Sequence, residues 1–101
     1  MAQVALQRQA AADLERIAHF LAAEDPVLAL EAVDVVRDAL SVLERHPLIG
    51  RPAEEGLREL VISRGRSGYV ALYRYFETED LVTVLAIRHQ REQGYRGRRE
   101  G

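Results

Sequence analysis

The hydrophobic positions of this 101-residue chain change their period twice. Ala2 to Leu6 alternates weakly, which predicts a short strand over 2–6. From Gln7 the spacing becomes helical. Leu14, Ile17, Ala18 and Leu21 recur at i, i+3, i+4 and i+7, while Asp13, Glu15 and Arg16 fall off that stripe. A helix over 7–24 is predicted. Asp25-Pro26 then restarts the chain: an aspartate can accept from the free N–H groups of a first turn, and proline suits the first helical position. A second helix over 26–46 follows. Its main apolar stripe is Ala29, Ala32, Val33, Val36, Leu40 and Leu43, opposite Glu31, Asp34, Asp38, Ser41 and Arg45. A further row, Leu28, Val35 and Val42, widens the apolar face beyond what one neighbour needs. The short break between the helices predicts an antiparallel hairpin.

His46-Pro47 ends the helical pattern, and Pro47, Gly50, Pro52 and Gly56 mark a loop. Three strand-like segments follow, over 57–63 (LRELVIS), 69–77 (YVALYRYFE) and 81–89 (LVTVLAIRH), separated by the glycine-containing 64–68 and by Thr78-Glu79-Asp80. Residues 90–101 form a polar tail. The order β-α-α-β-β-β predicts a single α+β domain, an antiparallel sheet with the helical hairpin on one face. In the middle strand Val70, Leu72 and Phe76 share one face; Tyr69, Ala71, Tyr73 and Tyr75 share the other. If the helices cover the aliphatic face, a tyrosine-rich face stays open as an interaction surface.

Charge changes this picture more than composition does. All 14 basic residues are arginine, against 16 acids, for a net of −2. The missing lysines fit a GC-rich coding sequence, but the distribution needs another reason. Residues 1–56 carry a net of −5 and residues 57–101 a net of +3. An acidic hairpin is joined to a basic sheet and tail, as expected where one region meets an anionic target. No cysteine is present, which excludes disulfides, thiolate nucleophiles and cysteine-bound metal. Uncharged stretches such as 81–87 are too short to cross a bilayer. The N-terminal residues lack a basic segment followed by an apolar one. The expectation is a cytoplasmic protein with no membrane partner.

Few residues offer chemistry. His19, His46 and His89 have no ligand-spaced partner, so no metal and no cofactor are expected. Ser41, Ser63 and Ser67 sit in no nucleophile motif, and Glu54-Glu55 and Glu79-Asp80 read as solvated turn charges. What remains is Arg88-His89-Gln90-Arg91 with Tyr95 at the end of the last strand, which Arg58, Arg64, Arg66 and Arg74 can join. Arginine binds phosphate with two donors, and histidine moves protons near neutral pH. A metal-free ribonuclease needs such parts. Equally, these arginines can pair with acids on the helices as rim residues.

Taken together, ADLERIAHFLA (12–22), the Asp-Pro restart, HPLIGRP (46–52), LRELVIS, GYVALYRY (68–75) and VLAIRHQREQGY (84–95) give the chain its likeness. It resembles the RelE/ParE superfamily of toxins from type II toxin–antitoxin systems, and more closely the ParE, or plasmid-stabilisation, branch. The resemblance implies the fold read above and a cognate antitoxin, in a hetero-oligomer whose antitoxin segment orders around the toxin. Leu28, Val35 and Val42 with Tyr69, Tyr73 and Tyr75 are the expected antitoxin-binding residues. It implies one of two targets. ParE-like members poison DNA gyrase and block replication; RelE-like members cut mRNA in the ribosome with basic residues and a C-terminal histidine or tyrosine. In the ribonuclease members an arginine commonly follows the tyrosine that starts the middle strand. Here Val70 stands after Tyr69, while His89 and Tyr95 fill the C-terminal positions. The incomplete set implies the gyrase branch, with Arg58, Arg64, Arg66, Arg74, Arg88, His89 and Arg91 facing the target. A nuclease would use Arg88, His89, Arg91 and Tyr95. A third reading is an antitoxin-binding homologue without toxicity.

Overall fold

The computed structural model describes residues 1–64 and 67–89. Its elements are β1 (Gln3–Leu6), α1 (Arg8–Ala22), α2 (Pro26–Val42), β2 (Arg51–Pro52), β3 (Arg58–Arg64), β4 (Ser67–Phe76) and β5 (Leu81–His89), with a one-turn 3-10 segment at Glu54–Gly56. The strands form one sheet in the order β1-β5-β4-β3-β2, and α1 and α2 pack on it as a hairpin. The architecture is α+β, as the hydrophobic pattern predicts.

The sheet is mixed rather than antiparallel. β3, β4 and β5 form an antiparallel meander, but β1 runs parallel to β5, with Gln3 opposite Leu81 and Leu6 opposite Val84. The parallel pairing follows from connectivity: the whole hairpin and three strands separate β1 from its neighbour, so no tight turn forces reversal. The loop after α2 also contributes β2, a two-residue edge strand against Arg58 and Glu59. Proline confines β2 to an edge.

The helix restart is built as the Asp-Pro signal reads. Asp25 Oδ1 accepts from Val27 N at 3.0 Å, and Pro26 occupies the first turn. α2 stops at Val42, short of His46, because the backbone tightens into turns at residues 43–45. Ile17 of α1, Val36 and Leu40 of α2, and Leu43 just after it meet Ile62, Ala71, Val82, Val84 and Ile87 of the sheet.

The main correction concerns the tyrosines. The helices cover the face carrying Tyr69, Ala71 and Tyr73, so Tyr69 is 3% exposed and Tyr73 is 0% exposed. Neither can be an antitoxin-binding surface in the folded chain. Aromatic rings bury the most apolar area, and here the Tyr73 hydroxyl finds polar partners inside. Tyr75, at the end of β4, is half-buried.

Candidate functional site

The uncovered face of the sheet is set by a bulge. Leu72 pairs with Ala86 and Tyr73 with Val84, leaving Leu85 as the extra residue. Simple alternation would put Ala86 and Val84 on the same face. The bulge instead lets Val82, Val84 and Ile87 enter the core, and turns Thr83, Ala86 and Arg88 to the opposite face. There Val70, Leu72 and Ala86 floor a shallow concavity of about 160 Å³, flanked by Arg88 and Glu59. Arg51 Nε donates to Glu59 Oε1 at 3.0 Å. Arg74 lies further along β4, opposite Thr83. Its guanidinium rests beside Gly56, where an added Cβ would come within 3.3 Å of Nη1. Val61 and Phe76 add exposed apolar surface to the same face.

This geometry separates residues that are neighbours in sequence. Arg88 lies opposite Val70 on the uncovered face. His89 lies opposite Tyr69 on the helical side, its ring edge-on to the tyrosine at 5.3 Å between centroids and 88°. Adjacent strand residues point to opposite faces, so the two are not one side-by-side pair. Arg66, Arg91 and Tyr95 lie outside the described residues, as does the Arg64 side chain.

Arg58 has a different role from Arg74 and Arg88. It pairs across from the inward Tyr73, and its Nη1 donates to Leu48 O at 3.2 Å and Gly50 O at 2.7 Å. Tyr73 Oη completes this clasp by donating to Pro47 O at 2.7 Å and accepting from Gly50 N at 2.9 Å. Burial pushes the Tyr73 phenol above its ordinary pKa of 10.0; the Gly50 bond and the nearby Arg58 pull it back in part. Burial also raises Tyr69. Tyr75 is raised chiefly because its hydroxyl donates to Asp80 Oδ1, at 2.7 Å.

Asp13 is the residue that periodicity missed. It lies off the apolar stripe, yet it is only 4% exposed. β1 stops opposite Val84, so β5 has no strand neighbour further along that edge. Asp13 Oδ2 fills the gap by accepting from Ile87 N at 2.9 Å. Gln9 Nε2 donates to Asp13 Oδ1 at 2.8 Å, and Arg16 stands 3.6 Å from the same oxygen. The available signal was an acidic residue in the second turn of a helix that follows a strand too short to cover its neighbour.

On the hairpin, Leu28 and Val42 are 41% and 40% exposed, whereas Val35 packs against the core. Phe20, Val27 and Leu30 are also exposed. Among the described residues no group of three or more metal-ligating side chains gathers, and no helix is long and apolar enough to cross a membrane.

Comparison with known proteins agrees with this architecture. Residues 4–94 match a family described as the ParE toxin of the type II toxin–antitoxin system parDE. Toxin RelE3 of Caulobacter vibrioides is 33% identical over 93 residues, covering 92% of this chain and 99% of that protein. A chain from the chromosomal ParDE system of P. aeruginosa superposes with a TM-score of 0.71 at 29% identity, covering 88% of this chain and 96% of its own. A chain of the toxin–antitoxin complex RelBE2 from Mycobacterium tuberculosis shares the fold, with a TM-score of 0.59 at 24% identity over 88% of this chain and 91% of its own.

Proposed function

The chain belongs to the ParE toxin family of type II toxin–antitoxin systems, and from that premise we propose that it inhibits DNA gyrase rather than cutting mRNA. The observation that carries this reading is the uncovered sheet face. Cleavage through a ribose 2′-hydroxyl needs a base, an acid and clustered cations at one phosphate. Here the position opposite Arg88 is Val70, the floor is apolar, and His89 is on the other side of the strand. An apolar floor flanked by Arg88 and Glu59, with Arg74 further along the same face, suits a protein partner better than a reacting phosphodiester. The test is a supercoiling assay with purified gyrase and antitoxin-free protein. Arrest of supercoiling is expected; unchanged supercoiling with no stabilised cleavage complex sinks the reading. The ribosome-dependent nuclease keeps one support, the named RelE3 relative. Codon-positioned mRNA ends after brief induction would establish it instead.

The partner that silences the protein is a cognate antitoxin, as in the ParDE and RelBE2 systems named above. Its docking place in this reading is the exposed side of the hairpin at Leu28 and Val42, joined by Leu30. A charge at Val42 (Val42→Glu) is expected to weaken antitoxin binding about tenfold, since a buried unpaired charge is costly. Equal affinity in a titration moves the antitoxin elsewhere.

A further inference from the structure

The loop between α2 and β2 is held more firmly than a connector requires. His46 N donates to Val42 O at 2.9 Å and Ile49 N to His46 O at 3.1 Å. The carbonyls of Pro47, Leu48 and Gly50 accept from Tyr73 and Arg58, and Gly50 N donates to Tyr73. Gly50 is indispensable to this clasp: a Cβ there would fall 2.7 Å from the Tyr73 ring and 2.8 Å from Glu59 O. Yet the side chains this backbone presents, Leu48 and Ile49, are 55% and 56% exposed. They border an open concavity of about 530 Å³, lined also by His46, Pro47, Tyr75 and Glu77. The adjoining turn adds Glu79 and Asp80, both exposed, so three carboxylates stand in a four-residue rim. Asp80 accepts from Tyr75 Oη and lies 4.0 Å from the Met1 ammonium, which leaves Glu77 and Glu79 to set the rim's charge.

The loop backbone satisfies the buried Tyr73 hydroxyl, yet the two aliphatic side chains it displays stay largely outside the core, and a backbone already fixed removes ordering cost from an association. We propose that the Pro47–Gly50 loop, with Tyr75 and the Glu77–Asp80 turn, is a docking surface for the target protein. It would receive an apolar anchor flanked by lysine or arginine. The acidic rim sets that chemistry, because like-charged segments are repelled and basic ones are steered in. The site lies at the far end of β4 from Arg88, about 20 Å along the strand. The proposal rests on the gyrase reading only in its choice of target.

The test compares wild type, Leu48→Ser/Ile49→Ser and Glu77→Gln/Glu79→Gln in dose–response with purified gyrase, alongside titration with the antitoxin. The serine variant is expected to need at least tenfold more protein for half-inhibition, with its melting temperature and antitoxin affinity kept. The glutamine variant should lose severalfold at low salt and converge on wild type at high salt. Unaltered inhibition by the serine variant overturns the surface while the gyrase reading stands. A loss confined to antitoxin binding overturns it too. A wild-type protein inert toward gyrase removes the reading and this proposal together.

Discussion

At the scale of single residues, two tyrosines of one strand separate packing from surface. Tyr73 Oη satisfies a buried N–H and a carbonyl of the 47–50 loop, whereas Tyr75 Oη bonds an exposed carboxylate. Tyr73→Phe strands the Gly50 N–H and is expected to cost about 1–3 kcal/mol. Tyr75→Phe should stay within about 0.5 kcal/mol, as surface changes do. Urea unfolding of both variants measures the contrast, and equal losses would mean the clasp does not hold the loop. The raised phenols also give a pH sign. In the folded chain Tyr73 and Tyr69 keep their protons above the ordinary value of 10.0. As pH rises through 10 the unfolded chain loses these protons first, so stability falls with pH until the folded phenols titrate. Tyr69→Phe should flatten the decline above pH 10, and an unchanged slope would remove the linkage. None of this was legible in the sequence. Alternation assigned Tyr69 and Tyr73 to one face, but which face the helices cover depends on three-dimensional packing, and both faces of β4 are apolar.

At the scale of elements, the strand and helix order was legible because the period shifts from 2 to 3.6 and back, and because Asp25-Pro26 marks a stop and a start. What was hidden is where elements interlock. The β5 bulge breaks the alternation that would otherwise assign Arg88 and the core residues Val82 and Val84 to one face. Asp13 likewise looked like surface charge, though it substitutes for a strand at the β5 edge. The expected behaviour follows from that substitution. Asp13→Ala leaves the Ile87 N–H without its acceptor and should cost about 1–3 kcal/mol. Asp13→Asn retains an acceptor oxygen and should recover most of it. Hydrogen exchange at the Ile87 amide reads the bond directly: fast in the alanine variant, protected in the asparagine one. Protection that persists in Asp13→Ala would show that another group supports the end of β5.

At the scale of the whole molecule, the proposed reading assigns the −5 half to the antitoxin and the arginines of the +3 half to the target. The acidic half is chiefly the hairpin, with Glu31, Asp34 and Asp38 on α2. The basic half supplies Arg74 and Arg88 to the uncovered face, at different heights on β4 and β5. The size of an arginine effect separates the two target readings. If Arg88 stabilises a reacting phosphate, its loss should cost on the order of 10²–10³ in rate, as for a single transition-state donor. If it steers a protein partner, Arg88→Ala should weaken inhibition only severalfold. The double reversal Arg74→Glu/Arg88→Glu should then cost about tenfold at low ionic strength. Raising the salt shortens the screening length to about 3 Å at 1 M, so a steering defect shrinks there, while a lost catalytic contact does not. Supercoiling inhibition and mRNA cleavage by these variants, each at low and high salt, are therefore the decisive measurements. A small, salt-erased loss of supercoiling inhibition supports docking on the sheet, and a large, salt-resistant loss of mRNA cleavage returns the protein to the nuclease reading.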